Sequence, residues 1–409
     1  MCNEKFEPVI RFAVMSDIHI KDEHTVERDR MVKGINDAYK IAESHESYKS
    51  LDALVLDGDF ANSGTEAQFL AVKKICDDNL RDGTELIASV ASHEYNTSSG
   101  AMEAAWEKLR RIFGCEPDVH KVIKGFHFVS TSPSRSCNFN EEKQKFAYEN
   151  LKAAAEDDPK KPIFTFQHPH MTGTVYGSIL WGEDDLYASY LNFPQIIDFS
   201  GHSHAPINDP RSIHQEHFTC LGAGTLSYFE LDEFDKDGGT IPENKAEAAQ
   251  MLIVEADKNN RVRVYPYDIL TGNFFPFVWK IDVPSDPETF IYTDQKRYSE
   301  AQKPYFKDDA KAEAKEITDC GAVIEFPQAV ADDMPYVNNY DIILRRKADG
   351  IIVSQKSVWS DYYIYNMPKT KCVKFDGLTP DTEYTAKITA EGFFKNPSTN
   401  FLTVEFKTL

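Results

Sequence analysis

The sequence of 409 residues has no long apolar run and no excess of basic residues. A membrane-spanning helix needs about 20 consecutive apolar residues, and the sequence contains no such stretch. Its 45 Lys and Arg against 66 Asp and Glu give a formal net charge of −21. Because nucleic acids and anionic membranes are bound through clustered basic side chains, this composition argues against both as partners. A well-solvated acidic surface is the simplest interpretation.

The sequence also lacks a dense set of cysteines, since its seven are scattered singly with no Cys-x-x-Cys pair. We therefore predict free structural thiols rather than a disulfide framework. The start, Met-Cys-Asn-Glu-Lys-Phe-Glu-Pro, has no apolar core of an export signal, which favours a cytoplasmic location. Cys2 leaves an alternative open, because a cysteine followed by polar residues would also remain after a lipoprotein signal is trimmed. The protein would then be exported or lipid-anchored.

Strand-like and helix-like segments alternate over residues 9–270. Val9–Met15 is predicted as a strand and Val26–Ser44 as an amphipathic helix. Such alternation predicts helices on both faces of a largely parallel sheet. From Phe218 onward, strands follow one another without helices, as though a second sheet pairs antiparallel beside the first. The predicted fold class is α/β, a two-sheet αββα sandwich wrapped by helices.

The last quarter of the sequence has a different character. A stretch from Pro284 to about Lys311, rich in Pro, Asp, Glu and Lys, marks a connection. Short strand-like segments with turn residues follow it, which predicts a β-sandwich of about 100 residues. The run Gly-Leu-Thr-Pro-Asp-Thr-Glu-Tyr-Thr-Ala-Lys-Ile-Thr-Ala resembles the last third of a fibronectin type III domain, with Tyr384 at the tyrosine corner. The predicted limits are a first domain over 1–283, a linker over 284–310 and a fibronectin type III-like sandwich over 311–409.

Five short segments hold aspartate and histidine side chains of the kind that divalent metals prefer, and each follows a run of β-branched and apolar residues. Open α/β sheets place their sites outside the carboxyl ends of the strands. We therefore expect these side chains to converge on one crevice. In chain order they are Asp17, His19, Asp59, His93, His168, His202 and His204.

The spacing within the segments indicates how metals would bind. Asp17 and His19 flank a single residue, so on an extended strand end both side chains point to the same side. His202 and His204 have the same spacing, and Asp59 is our candidate for a carboxylate shared by two ions. Mixed nitrogen and oxygen ligands suit two divalent or trivalent transition-metal ions, Mn, Fe, Zn or Co, with Mn or Fe favoured. Two such ions about 3.5–4 Å apart activate water for phosphoester hydrolysis.

The segments Ser-Asp-Ile-His, Gly-Asp, Ser-His-Glu, Gln-His-Pro-His and Gly-His-Ser-His resemble those of the calcineurin-like metallophosphoesterases. This resemblance covers roughly residues 9–268 and implies the two-sheet α/β fold of that family. It implies His93 as the general acid that contacts the phosphate or the leaving oxygen. The implied ligands are Asp17, His19, Asp59 and His204 for a first metal, and Asp59, His168 and His202 for a second.

Two positions depart from the family pattern. Ser92 stands where the family has an asparagine that is normally a ligand of the second metal. A serine side chain is shorter than an asparagine side chain, and its neutral hydroxyl is a weaker metal ligand than an amide oxygen. The second site therefore either holds its ion less tightly or recruits a water in place of Ser92. Asn62 stands where many relatives have an aspartate that pairs with the general-acid histidine, which would weaken proton donation to a poor leaving group.

Three residues are candidates for contact with the substrate: Asn62, Arg135 and His170. Arginine binds phosphate through two parallel hydrogen bonds, and the alternative for Arg135 is a solvated loop position. His170, two residues beyond His168, is alternatively an outer imidazole at the edge of the pocket.

The leading hypothesis is a metal-dependent hydrolase of small-molecule phosphodiesters or phosphomonoesters. In it, a hydroxide that bridges two metals attacks phosphorus, and His93 assists departure of the alcohol. The expected partner is a small phosphoester, and the sequence leaves the oligomeric state open. The alternative is a catalytically weakened metal-binding protein that interacts through its C-terminal domain, with Ser92 and Asn62 as marks of decay.

Overall fold

The computed structural model describes residues 5–95, 101–232 and 239–409. Cys2, on which the lipid-anchored alternative depends, lies outside these residues. Among the helices described, none is long and apolar enough to cross a bilayer.

The chain divides into a first unit, Met1–Thr293, and a second unit, Asp294–Leu409. The boundary falls inside the stretch that the sequence suggests as a connection, and the finer domain limits stay a prediction.

Among the described residues, the first unit contains two mixed sheets, the helices that cover them and a small antiparallel sheet of two strands. Its strands are β1 (Pro8–Met15), β2 (Ala53–Asp57), β3 (Glu85–Ser89), β4 (Asp118–Ile123), β5 (Phe126–Thr131), β6 (Ile163–Phe166), β7 (Ile196–Ser200), β8 (Ile213–Gln215), β9 (Thr219–Gly222), β10 (Leu231–Asp232), β11 (Gly239–Thr240), β12 (Gln250–Asp257), β13 (Val262–Asp268), β14 (Asn273–Phe274) and β15 (Trp279–Ile281). Its helices are α1 (Val26–Ser44), α2 (Glu66–Asn79), α3 (Ala101–Lys108), α4 (Glu141–Asp157), α5 (Ser178–Trp181) and α6 (Tyr187–Tyr190).

The first sheet has the order β14-β13-β12-β1-β2-β3, with β15 also on β13, and the second has the order β4-β5-β6-β7-β9-β8. Strands β1, β2 and β3 are parallel, as are β5, β6, β7 and β9. This architecture confirms the predicted α/β class with two sheets. Helices α1 and α2 contribute to the core on one sheet, and α4 and α6 contribute to a separate core on the other.

The pairing after Phe218 differs from the expectation of a separate antiparallel sheet. Strand β9 instead joins the second sheet parallel to β7, whereas β12 returns to the first sheet antiparallel to β1. The sequence pattern identifies these strands by their apolar residues, but every strand buried on both faces has the same pattern. Their partners are therefore not encoded in the local sequence.

An aromatic cluster joins the two sheets face to face. Phe12 of β1 packs edge-on against Phe128, Phe164, Phe166 and Phe199 of the second sheet, with ring centroids 4.8–6.2 Å apart. All of these rings are buried. Because such edge-to-face pairs have a preferred geometry in addition to the area that they bury, the cluster fixes how the strand ends of one sheet face those of the other.

The second unit is built from two antiparallel sheets, in agreement with the predicted β-sandwich. The elements are α7 (Asp294–Glu300), β16 (Glu313–Lys315), β17 (Gly321–Pro327), β18 (Asn339–Arg346), β19 (Ile352–Trp359), β20 (Thr370–Asp376), β21 (Glu383–Glu391) and β22 (Leu402–Lys407). The sheets have the orders β16-β17-β20 and β19-β18-β21-β22, and they share a core that includes Tyr340, Ile342 and Ile388. The Tyr384 hydroxyl accepts a hydrogen bond of 2.9 Å from the backbone N–H of Thr379.

Asp198 of β7 is a buried carboxyl group that makes the stability of the first unit depend on pH. It accepts hydrogen bonds from the Thr165 hydroxyl at 2.6 Å and the Gln167 amide at 3.1 Å. Burial nevertheless raises the pKa of Asp198 from its ordinary 3.8 to about 7. The folded state thus keeps a proton that the unfolded chain loses near pH 4, so the free energy of unfolding falls as the pH rises from about 4 to about 7.

We therefore expect Asp198→Asn to stabilise the protein at about pH 8. The amide is uncharged at every pH, and the pKa difference corresponds to roughly 4 kcal/mol at most. Urea unfolding of metal-free wild type and variant at about pH 5 and pH 8 measures the effect. The exposed Asp184→Asn serves as the control. An equal change in unfolding free energy at both pH values would contradict the assignment.

Candidate metal centre

The carboxyl ends of five parallel strands bring the predicted side chains together. Asp17 and His19 follow β1, Asp59 follows β2, and His93 follows β3. The second sheet contributes His168 after β6 and two histidines after β7. Within the part of the chain that the structure describes, potential ligand atoms lie within 4.8 Å of one another in three groups, which are Asp17 with His19 and His204, His19 with Asp59 and His93, and Asp59 with His168 and His202.

The Asp17 carboxylate has one oxygen held by the protein and one left free. Its Oδ2 accepts hydrogen bonds from the Ser16 hydroxyl at 2.7 Å and the His202 backbone N–H at 2.9 Å. Its Oδ1 is buried without a hydrogen-bond partner and lies 3.2 Å from His204 Nε2. This orientation leaves Oδ1 free to bind a cation.

Asp59 is a member of two of these ligand groups, the one with His19 and His93 and the one with His168 and His202. Its Oδ1 accepts from the backbone N–H of His93 at 2.9 Å, and its Oδ2 accepts from the Ser92 hydroxyl at 2.9 Å. Its Oδ2 also lies 3.0 Å from His168 Nε2. The Ser92 hydroxyl therefore contacts the shared carboxylate, and its predicted role as a ligand of the second metal stays a prediction.

Three imidazoles are oriented by backbone carbonyl groups. The Nδ1 of His168 bonds to the Asp57 carbonyl at 2.8 Å, and that of His204 to the Tyr228 carbonyl at 2.9 Å. A carbonyl oxygen only accepts, so Nδ1 carries a proton and Nε2 is the nitrogen that faces the cluster. A bond from the outer nitrogen to a carbonyl is typical of metal-binding histidines.

His93 is oriented in the same way, because its Nδ1 lies 2.7 Å from the Asn62 carbonyl oxygen. Asn62 thus contacts the candidate general acid through its backbone. The side chain of His93 is half-buried, and its ring lies 4.4 Å from the His19 ring at nearly a right angle.

The residues present fit bound cations. His168 Nε2 is buried without a hydrogen bond although it faces a carboxylate oxygen, and His19 Nε2 lies only 3.1 Å from His204 Nε2. Lone pairs this close repel unless a proton or a metal ion lies between them or beside them. Two carboxylates with several imidazoles are a donor set that transition metals accept.

Burial and neighbouring charges shift the pKa values of the carboxyl and imidazole groups in the cluster. Burial opposes the charge on Asp17, but the His204 and His168 imidazoles outweigh it and hold the pKa of this carboxyl well below its usual value. Burial also disfavours the charged form of His168, yet the Asp59 and Asp17 carboxylates raise its pKa well above the ordinary value. Burial lowers the pKa of His202 to about 4, so its imidazole is neutral at pH 7, the form that binds metal.

The backbone at the candidate ligands adopts a conformation that such residues rarely take. A positive φ is uncommon outside glycine and costs on the order of 1–3 kcal/mol. Strain of this kind clusters at functional sites. Five candidate ligands share it, with φ of 50° at Asp17, 55° at His19, 48° at Asp59, 71° at His202 and 54° at His204.

Glu94 supports the centre and was not among the predicted site residues. Its buried carboxyl group accepts backbone N–H bonds from Asp59 at 3.0 Å, Ala61 at 2.7 Å and Ala91 at 2.8 Å. It therefore ties the loops after β2 and β3 together. An acidic residue directly after His93 was the available signal, but the sequence does not show that it is buried.

A loop after β9 also contacts the centre from outside the predicted motifs. The Thr225 hydroxyl donates to the Asp17 carbonyl at 3.0 Å, and the Leu226 N–H does so at 3.2 Å. The Tyr228 ring lies 4.1 Å from the His204 ring at an angle of 33°. No spacing of metal-binding residue types marks this loop, so sequence reasoning could not find it.

The remaining candidates lie as follows. His170 is buried, and its two ring nitrogens lie 2.7 Å from the Ser200 hydroxyl and 2.7 Å from the Ser203 hydroxyl. This agrees with its alternative interpretation as an outer imidazole. Arg135 is exposed, and its backbone pairs with Asn138. Contact of either residue with the substrate stays a prediction.

Comparison with known families decides the class of the first unit. Residues 10–206 match the family model of calcineurin-like phosphoesterases. This domain belongs to the calcineurin-like phosphoesterases. The matched residues include all seven side chains of the candidate centre, which confirms the resemblance noted in the sequence. The protein is therefore a metal-dependent phosphoesterase, a hydrolase of phosphoester bonds.

Solved structures give more distant likenesses to this phosphoesterase. A purple acid phosphatase from yellow lupin (Lupinus luteus) is 12% identical with a TM-score of 0.47, and the match covers 67% of this chain and 53% of that one. The fn3 domain of human collagen alpha-1(XX) chain is 13% identical with a TM-score of 0.20, and the match covers 25% of this chain and 82% of that one. A search of curated proteins finds no match. The assignment depends on the family model alone.

Proposed function

We propose that the phosphoesterase domain hydrolyses small-molecule phosphodiesters or phosphomonoesters with two bound metal ions. The observation that carries the proposal is the position of Asp59, which belongs to one ligand group with His19 and to another with His168. A shared carboxylate is what holds two cations close together. Asp17, His19, Asp59 and His204 would bind the first ion, and Asp59, His168 and His202 the second.

The ions, when bound, would lower the pKa of a coordinated water and neutralise the phosphoryl oxygens. The chain's own residues orient this chemistry. Asp17 keeps Oδ1 free because Ser16 and the backbone of His202 occupy Oδ2. His168 and His204 direct Nε2 inward because their Nδ1 atoms bond to carbonyls. Histidine and aspartate together suit Mn, Fe, Zn or Co, and we favour Mn or Fe.

His93 is our candidate for the general acid. The Asn62 carbonyl occupies its Nδ1, so Nε2 is the atom that would hold a proton for the leaving oxygen. Its ring is half-buried, which allows contact with a substrate. The partner of the His93 ring is the neutral carbonyl group of Asn62. Many relatives have an aspartate at the position of Asn62, so their histidine has a negatively charged partner. We propose that this partner orients the ring without adding a charge.

The acidic composition supports a small substrate. A net charge of −21 disfavours long polyanions, because clustered basic residues would be needed to neutralise them. A single phosphoester needs only a local positive centre, which the metal ions supply. A cytoplasmic location agrees with such a substrate and stays a prediction.

A second candidate function is a weakened metal-binding protein, which one observation favours. Ser92 stands where the family pattern has an asparagine ligand of the second metal, and its hydroxyl donates to Asp59 Oδ2 at 2.9 Å. A loosely held second ion would lower activity. Against this alternative stands the set of seven side chains, which a decayed site has little reason to keep together.

A metal and substrate panel tests the proposal. Metal-depleted protein is loaded separately with Mn, Fe, Zn and Co and assayed with bis-p-nitrophenyl phosphate, p-nitrophenyl phosphate and a library of small phosphoesters. We expect at least one metal to restore hydrolysis that a chelator abolishes. If no metal supports hydrolysis of any ester, the weakened-protein alternative gains and the proposed activity is wrong.

For the second unit we propose a fibronectin type III-like domain. Three strands pack with four in its two sheets, and the Tyr384 hydroxyl accepts from the backbone five residues upstream, as in a tyrosine corner. These two features support the proposal.

A further inference from the structure

Cys137 lies beside the candidate second metal site, at the tip of a tight turn after β5. The Asn138 N–H donates to the Arg135 carbonyl at 2.7 Å, and the Ser134 N–H donates to the Asn138 carbonyl at 2.8 Å. Ser136 has a φ of 49° within this turn. The backbone therefore holds Cys137 in place, although no family motif includes it.

The Cys137 sulfur contacts the imidazole of His202. The two atoms, Sγ and Nε2, are 3.3 Å apart, which is a hydrogen-bond distance for sulfur. Cys137 is partly buried, and the contact joins the end of β5 to the end of β7.

His202 differs in this contact from the other oriented histidines. The outer nitrogens of His93, His168 and His204 bond to backbone carbonyl oxygens. His202 has a side-chain sulfur at the corresponding place. The outer partner of a metal-binding histidine fixes the tautomer and the ring orientation, and its loss typically costs 10–100-fold in metal affinity.

Two rings limit how the His202 imidazole can turn. The His168 ring lies 5.1 Å away at 62°, and the Trp181 ring lies 5.1 Å away at 83°. With Nε2 directed at the sulfur, Nδ1 is the nitrogen left for a metal.

We propose that Cys137 positions His202 by accepting a hydrogen bond from Nε2, so that Nδ1 binds the second metal. Cys137 is thus a positioning residue, and it sets the affinity of the second site. The inference rests on the proposed two-metal function. It assigns a role to a cysteine that the sequence suggests to be merely structural.

Metal titration of the full-length, metal-depleted protein tests this role without an activity assay. Calorimetry with Zn²⁺ should show two binding steps in wild type. Cys137→Ala should weaken the second step about 10–100-fold and leave the first unchanged. Cys137→Ser, which keeps an acceptor, should recover most of the affinity, and Cys115→Ala is the control at a cysteine outside the centre. Unchanged second-step affinity in Cys137→Ala would overturn the proposal.

The ring tautomer gives a second readout that a purely structural role would not change. In the zinc-loaded, ¹⁵N-labelled protein, long-range ¹H–¹⁵N correlations should show His202 protonated at Nε2 and bound to zinc through Nδ1. In Cys137→Ala this tautomer should become mixed. Zinc on Nε2 in wild type would contradict the proposed orientation even if Cys137→Ala fails to fold.

His168→Ala separates this inference from the two-metal function. If the alanine variant loses one zinc ion but Cys137→Ala binds both normally, only the role of Cys137 is wrong. If His168→Ala still binds two ions with wild-type affinity, the proposed second site itself is wrong.

Discussion

Replacement of Asp59 by alanine should abolish hydrolysis and reduce the bound metal from two ions to one or none. Asp59 is buried, its Oδ2 faces His168 Nε2 at 3.0 Å, and its ligand groups extend to both candidate sites. Without this carboxylate, no shared ligand offsets the repulsion between two adjacent cations. Since loss of a mere outer partner of a metal ligand costs 10–100-fold, we expect kcat to fall by roughly 10³-fold or more. Elemental analysis and the ester assay measure both effects.

The control for this substitution is Asp37→Ala on α1. Asp37 is also buried, but it pairs with Lys33 and Lys40 on the same helix, so its loss should leave the metal content at two. Circular dichroism shows whether each variant folds. If folded Asp59→Ala keeps two tightly bound ions and substantial activity, Asp59 is not the shared ligand.

Replacement of His93 by alanine should lower kcat in a way that depends on the leaving group. A general acid contributes typically 10²–10⁴-fold when the departing oxygen needs a proton. p-Nitrophenolate leaves without one, whereas an alkoxide does not. We therefore expect a loss of about 10²–10⁴-fold with an alkyl phosphoester and a much smaller loss with a p-nitrophenyl ester. Steady-state kinetics with matched alkyl and p-nitrophenyl substrates measure the difference.

His93→Gln is the companion variant, because glutamine keeps a polar side chain of similar length but cannot act as a general acid. Both variants keep the His93 backbone N–H that bonds to Asp59, so two ions should remain bound. An equal loss for good and poor leaving groups would point to phosphate binding rather than proton donation by His93.

The sequence predicts the site better than it predicts the sheet that carries it. Asp17 and His204 could be placed together because the parallel strands of an α/β fold end at one edge. Aspartate and histidine at such strand ends indicate a metal site. The neighbours of β1 could not be predicted, because the apolar run Met251–Val254 of β12 would suit many positions in a sheet. Strand pairing depends on contacts between residues more than 200 positions apart, such as Arg11 with Glu255.

The support of the site was also beyond sequence reasoning. Glu94 has a buried carboxyl group that binds three N–H groups, yet a glutamate in a loop is usually solvated. Cys137 meets His202 only because β5 and β7 flank β6 in the folded sheet. The positive φ values at the candidate ligands contradict ordinary backbone preferences, and local sequence contains no signal for them.

The position of β1 in its sheet lets us predict when the centre is complete during synthesis. β1 carries Asp17 and His19, but one of its two neighbours is β12, which the ribosome makes some 240 residues later. Until then the Arg11 guanidinium lacks its partner Glu255, to which its Nε donates at 2.7 Å in the folded chain. A nascent chain that has emerged only to residue 206, where the family match ends, therefore lacks a strand of its central sheet. We therefore expect the complete centre to bind metal only after the returning strand has been made.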